Sequence, residues 1–375
     1  MNKHLHIICL NIPYPVDYGG VVDLFYKLPV LQQQGIKIHL HCFKYGRAEQ
    51  AELNKYCETV DYYSRDTSVL SLSSKYPYIV SSRSSKSLIQ SLLGDDYPIL
   101  MEGVHCTYLL NDSRFKNRKC FVRLHNVEFV YYKHLFQFTN SLFKKVYFNW
   151  ESQQLEKYEK KIAPKATFLP VAKKDGELYQ ELGCKNVVYL PVFLPDWTLS
   201  TIEGKGTFCL YQGDLSVPEN EKAATWLLEQ VFANLTIPFV IAGNNPSKKL
   251  QKLVAPKNNI CLIANPDETE MQDLIAKSHI NIIPSYNATG VKLKLINALY
   301  NGRHCIVNEA TVTGSGLEAA CHIVQEASEF ITAIENLYNR PFTTEEMETR
   351  HYLLDTLFDN NTNAKQLIDI IWKEE

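Results

Sequence analysis

The architecture of this chain can be read from residues 280–299, INIIPSYNATGVKLKLINAL. The run Ile280–Pro284 is almost wholly apolar and rich in isoleucine, as expected of a strand buried on both faces. A polar loop then rises to Gly290, and from Val291 onward the apolar residues recur at helical spacing. Lys292 and Lys294 fall in the first turn of that helix, where the dipole disfavours cations. An anion seated there would explain them, because backbone amides and ammonium groups together make a diphosphate site. Two solvated surface lysines are the plainer alternative.

The same strand–turn–helix unit recurs in both directions. In the first half the strand candidates are His4–Ile12, Lys37–Phe43, Thr59–Tyr63, Tyr97–Met101, Cys120–Leu124, Thr167–Val171 and Val187–Val192. In the second half they are Thr207–Gln212, Phe239–Ala242, Ile260–Ile263, Ile280–Pro284, His304–Asn308 and Cys321–Val324. Helical segments separate most of them, which predicts right-handed crossovers and two doubly wound parallel sheets. Asp267–Glu270, Ser315–Glu318 and Thr343–Glu346 each fit a capping box. The weakly periodic stretch LPVFLPDWTLSTIEGKG, residues 190–206, reads as the seam. The expected domains are 1–192 and 193–342, with two helices in 343–375 returning to the first.

The 375 residues exceed what one hydrophobic core supports, in keeping with two domains. Lys plus Arg is 39 and Asp plus Glu is 41, a net charge of −2, which speaks against nucleic acid as partner. Ten cysteines occur without any C-x-x-C pair and mostly inside apolar runs, so neither a disulfide framework nor a zinc site is expected. The N-terminus is too polar for a signal peptide, and no run approaches the ~18 apolar residues of a membrane span. These features predict a cytoplasmic protein.

No P-loop, H-E-x-x-H, D-x-D or G-x-S-x-G motif is present. Gly314–Ala319 matches the loose dinucleotide fingerprint, but it follows a late strand and reads as a glycine turn. Two further clusters carry chemistry. Pro13–Gly20, PYPVDYGG, lies between the first strand and the helix Val22–Gln34, and Gly19 and Gly20 would admit an anion or a sugar to the backbone. Arg123–Glu128, RLHNVE, lies at the C-terminal end of a strand, where open α/β sheets place ligands.

Taken together these segments resemble the nucleotide-sugar glycosyltransferases of the GT-B fold, specifically the retaining family-4 group. Tyr211–Leu215 with Asn220, Ala223 and Trp226, then Phe239–Asn244, then Pro284–Ser285 with Gly290–Leu299 and Gly302, are similar to that family's donor domain. The resemblance implies two Rossmann-like domains facing a central cleft and a nucleoside-diphosphate sugar as donor. It further implies a glycan, lipid-linked or other hydroxyl acceptor, and transfer with retention and without metal or other cofactor. On this reading Lys294 and His125 are catalytic. Lys294 and Lys292, with the amides around Gly290 and Val291, stabilise the leaving diphosphate, and His125 contacts the sugar or the acceptor hydroxyl. Gly19, Gly20, Asn126, Glu128, Gly213, Ser285 and Asn297 complete the substrate contacts. Thr289 and Asn297 stand where the family has two glutamates, and Lys294 stands where some branches have a lysine. Two rivals follow: a non-catalytic paralogue, or an epimerase using Glu102 and Glu128 as acid and base. Residues 129–150, with nine aromatics, three lysines and no acidic residue, suit a lipid headgroup region, the alternative being helices with aromatic core faces.

Overall fold

The computed structural model describes residues 3–68, 75–139 and 141–372. It divides into two compact units, Met1–Pro195 with Phe358–Glu375, and Asp196–Leu357. The division thus falls inside the seam read from the sequence, and the return to the first unit begins at Phe358.

The first unit holds strands β1 (Lys3–Cys9), β2 (Ile36–Lys44), β3 (Thr59–Ser64), β4 (Ile99–Glu102), β5 (Cys120–Leu124) and β6 (Thr167–Pro170), all parallel, in the order β3-β2-β1-β4-β5-β6. Its helices are α1 (Gly19–Gln33), α2 (Tyr78–Ser81), α3 (Lys86–Leu92), α4 (Glu128–Phe138), α5 (Leu142–Ile162) and α6 (Lys173–Glu181). Successive strand residues alternate between two core layers, as the pleat requires. Ile7 and Cys9 pack with Leu24, Leu28 and Leu31 of α1, whereas Ile8 joins Met101, Val122 and Leu155 on the other face.

The expected strand Val187–Val192 does not form. Val188 and Leu190 donate backbone N–H groups to Phe168 and Pro170 of β6 (2.9 and 3.1 Å), but Pro170 has no N–H to return, so the ladder reduces to one bridge at Val187.

The second unit repeats the plan with β7 (Cys209–Gln212), β8 (Phe239–Gly243), β9 (Ile260–Ala264), β10 (Ile280–Ile283), β11 (His304–Val307) and β12 (His322–Ile323), in the order β12-β11-β10-β7-β8-β9. Its helices are α7 (Pro218–Trp226), α8 (Lys248–Val254), α9 (Glu268–Lys277), α10 (Leu293–Asn301), α11 (Glu309–Val312), α12 (Ala327–Tyr338) and α13 (Thr344–Phe358). Asp267 caps α9 through the Glu270 N–H (2.8 Å), and Thr343 and Glu346 exchange the two bonds of a capping box. Glu318 instead accepts from the Gly314 N–H (2.8 Å) and begins only a single 3₁₀ turn. The closing helix α14 (Asn360–Trp372) packs Ala364, Leu367 and Ile371 into the α1 layer of the first unit.

Candidate functional site

In each sheet the strand order reverses beside the first strand of the unit, between β1 and β4 and between β7 and β10. Ligands of open parallel sheets bind outside the carboxyl ends of the strands at that reversal. The residues singled out in the sequence fall into one group at each such point.

In the first unit Gly19 opens α1, with Tyr18 at its N-cap. A Cβ at Gly20 would lie 2.6 Å from the Tyr18 ring, so only glycine lets that ring fold back over the turn. One turn on, Asp23 and Lys27 form an i,i+4 pair (2.9 Å) that is wholly buried. Arg123 of β5 grips Asp23 with two hydrogen bonds (2.8 and 3.0 Å) and donates to the carbonyls of Leu190 (2.6 Å) and Pro191 (2.8 Å). Lys27 also meets Glu102 at the end of β4 (2.5 Å). Glu102 reaches His125 Nε2 at 3.0 Å, and His125 Nδ1 lies 4.0 Å from Asp23.

Burial alone would raise both carboxyls. Arg123 and Lys27 outweigh it at Asp23, which sits well below the usual range, and Lys27 and His125 do so at Glu102. Both are therefore ionised at neutral pH. An ionised Glu102 only accepts, so His125 carries its proton on Nε2 and donates it there. The imidazole is held in one orientation on a rigid, charge-balanced base, with part of its surface exposed.

Asn126 follows in the same turn and is partly exposed. Glu128 does not reach the surface: it is 4% exposed, with His105 Nδ1 3.9 Å away. Burial and then Glu159 push its carboxyl up to about 8, against Arg83. Glu102 is fully buried and engaged by Lys27 and His125. Neither carboxylate is thus presented to a substrate as an acid or a base.

In the second unit the loop after β10 is held by Glu219, from the first turn of α7. Its Oε1 accepts from the N–H groups of Tyr286 (3.0 Å) and Asn287 (3.1 Å) and from the Ser285 hydroxyl (3.1 Å). Asn308 fixes Ser285 from the other side through both of its backbone groups (2.9 and 2.7 Å). Thr289 turns its hydroxyl inward onto Asn287 Oδ1 (2.9 Å). Gly290 adopts a left-handed backbone with φ of 66°. The helix consequently starts at Leu293, two residues later than the periodicity of Val291–Leu299 suggested.

Lys292 occupies the N-cap position with its ammonium on the Thr289 carbonyl (2.7 Å), and Val291 lies between it and Gly290. Lys294 is part-buried with its ammonium 5.2 Å from the centre of the Tyr211 ring. Burial pulls it down to about 8, Glu219 opposing and Lys292 adding to the fall. Gln212 ties β7 to α10 through the Lys294 carbonyl (3.5 Å). Gly213 follows directly, and a side chain at Gly243 would collide with its carbonyl, so the β7 and β8 ends close only with glycine. Asn297 gives its side-chain oxygen to Asn301 (2.7 Å), leaving its amide N–H groups to donate.

Asp23, Lys27 and Glu219 were not singled out from the sequence. The signal for the first two was available: an acid and a base four apart inside the apolar helix VVDLFYKLPV. Asp23, Glu102 and His125 bring three donor atoms together, as do His304, His322 and Glu346. In the first set Lys27 and Arg123 already neutralise the carboxylates, and in the second Arg340 takes Glu346 at 2.6 Å.

The two sheets, each wound in the same order, define the GT-B fold of glycosyltransferases. No family model matches the chain. It is similar to an uncharacterized 44.6 kDa protein in the cps region of Klebsiella pneumoniae, 26% identical over 98% of both chains. Among solved structures it is similar to Anabaena HepE in complex with UDP and glucose (TM-score 0.65, 12% identity, 98% of this chain and 99% of that one). It is also similar to TarM (0.68, 10%, 100% and 99%) and to an α,α-trehalose-phosphate synthase (UDP-forming) from Burkholderia xenovorans (0.64, 9%, 98% and 100%). At these identities the likeness establishes the fold.

Proposed function

We propose that the chain is a glycosyltransferase that moves a sugar from a nucleoside diphosphate to a hydroxyl acceptor, with retention and without a metal. The observation that carries this reading is the β10–α10 turn. Glu219 rigidifies the loop, Gly290 bares its amides, and Lys292 and Lys294 bring two cations to the helix start. Breaking the anomeric C–O bond leaves negative charge on the departing diphosphate, and preorganised donors aimed at such charge supply the largest share of catalysis. The UDP held by Anabaena HepE, of the same fold, makes UDP the first nucleotide to test. Asn297 would donate to the ribose, and Gly213 and Ser285 would line the nucleotide.

On the first unit His125 would meet the transferred sugar or the acceptor hydroxyl, with Gly19, Gly20 and Asn126 beside it. The expected result for His125→Ala is near-normal UDP affinity by calorimetry and turnover lowered by about 10²–10⁴, the range of lost proton-transfer or positioning groups. A large loss of UDP affinity with normal turnover would reverse the assignment of the two units. If UDP, GDP, ADP and their sugars all fail to shift the melting temperature, the non-catalytic reading stands instead; Thr289 and Asn297, both turned to protein partners, favour it.

We further infer that the acceptor is lipid-linked or carried near a bilayer on the cytoplasmic side. No helix among the described residues is long and apolar enough to cross a membrane. At the start of α5, however, Leu142, Phe143 and Val146 are 78%, 91% and 73% exposed, and Lys144 and Lys145 lie among them. Apolar tips flanked by lysine suit an anionic headgroup layer, each lysine adding ~1 kcal/mol near the surface. The chain should co-sediment with vesicles containing phosphatidylglycerol at low salt, and Phe143→Asp should abolish this; sedimentation that ignores either change would remove the surface from consideration.

A further inference from the structure

The first unit contains a cavity of about 980 Å³. Its walls are tyrosines: Tyr18 and Tyr45 from the loops after β1 and β2, Tyr78 from α2, and Tyr131, Tyr132 and Tyr147 from α4 and α5. Three arginines reach it. Arg47 is committed, since it pairs with Asp17 and donates to the carbonyls of Ile12 (3.0 Å) and Pro15 (2.7 Å). Arg65 and Arg83 are different.

The Arg65 guanidinium carbon stands over aromatic rings, 4.3 Å from the Tyr45 ring centre and 5.4 Å from that of Tyr78, and among the described residues Arg65 donates only Nε, to Ser82 (3.1 Å). Arg83 is 4% exposed and donates Nε to the Leu10 carbonyl (3.1 Å) and one terminal nitrogen to Ile79 (2.8 Å). Neither guanidinium has an ion-pair partner among the described residues. Burial and then the neighbouring Arg65 bring Arg83 down to about 10. His105 lines the same space with a buried Nδ1 that lacks a hydrogen-bond partner. Burial, then Arg83 and Arg65, lower its basicity well below the usual histidine value.

A buried cation without an ion-pair partner is strongly unfavourable, and Arg83 is such a cation, with the half-buried Arg65 adding a second positive charge nearby. A planar guanidinium pair is suited to the two oxygens of a carboxylate or the three of a phosphate. Tyrosine offers a flat apolar face with a hydroxyl at its tip, which matches the C–H faces and hydroxyls of pyranose rings. Aromatics alone would serve a neutral glycan, and the unpaired arginines would then only weaken the fold.

We propose that this cavity is the acceptor subsite and that it takes an acidic sugar, its carboxylate or phosphate held between Arg65 and Arg83 and its ring against the tyrosines. The proposal rests on the glycosyl-transfer reading for the word acceptor, but not for the anion preference, so the two fail separately.

The test is calorimetric titration of the full chain with methyl β-D-glucuronide, glucose 1-phosphate and neutral methyl β-D-glucoside, with and without UDP. At least one acidic sugar should bind about tenfold tighter than the neutral glycoside, as expected for a charge-assisted contact. Whichever of the two is preferred identifies the group as carboxylate or phosphate. Arg65→Gln, at a partly exposed position, should erase the preference, and Arg83→Gln should do the same in samples whose melting shows them folded. Equal binding of acidic and neutral sugars, or a preference that survives Arg65→Gln, overturns the proposal. Absence of UDP binding in the same samples would count against glycosyl transfer and leave the anion preference standing on its own measurement.

Discussion

Replacing Arg123 by methionine should lower the stability of the first unit by roughly 3–5 kcal/mol, the range for breaking a buried ion pair by removing one partner. Arg123 is fully buried and holds Asp23 bidentately while anchoring the Leu190–Pro191 backbone, so its loss leaves Asp23 to share Lys27 with Glu102. The sign of the pH dependence follows from the direction of the shift. Asp23 is depressed in the folded chain, burial acting against this and Arg123 and Lys27 overcoming it. Its contribution is therefore present above the unfolded value of about 4 and lost as pH falls through the lower folded value. Urea midpoints of wild type and Arg123→Met should differ widely at pH 7 and converge below pH 4. The double variant Asp23→Asn, Arg123→Met should recover part of the loss. A gap below about 1 kcal/mol at pH 7, or one indifferent to acid, would show that the network is solvated and not a rigid base for His125.

Lys294→Met should lower kcat by roughly 10²–10³, as removal of one preorganised charge-stabilising donor does elsewhere. Lys292→Met should do less, because that ammonium already serves the Thr289 carbonyl. Lys294 has its basicity lowered by burial to about 8, so its charge is present below that pH and is lost as pH rises through it. The kcat/KM profile should accordingly fall on the alkaline side near pH 8, and Lys294→Arg, which stays protonated, should remove that limb. Because Lys294 also stacks on Tyr211, a purely structural role would appear as a lower melting temperature with an unchanged pH profile. That outcome would withdraw Lys294 from the chemistry.

The strand series, the two sheets and their seam were legible in the chain itself. Parallel strands covered on both faces must be continuous apolar runs, and Ile280–Ile283, Phe239–Gly243 and Cys120–Leu124 announce themselves that way. His125 and the Gly290–Lys294 turn were legible for a related reason: polar residues directly after such runs stand at the carboxyl ends of strands, where ligands gather. One strand was misread, since Val187–Val192 has the right composition and only its partner, Pro170, forbids the ladder.

Which charged residues support those turns was decided by the tertiary structure. Asp23 and Arg123 are 100 residues apart, Lys27 and Glu102 are 75 apart, and Glu219 meets Ser285 across 66. Nothing local distinguishes Glu219 from any acidic residue in a first helical turn, and nothing local says that Lys27 will meet Glu102 as well as Asp23. Burial decides whether a charge must be paired, and burial is a property of the packed sheets and helices. That Arg65 and Arg83 have no ion-pair partner among the described residues is legible only there, because a chain can show that an arginine is present but not which groups the packing brings to it.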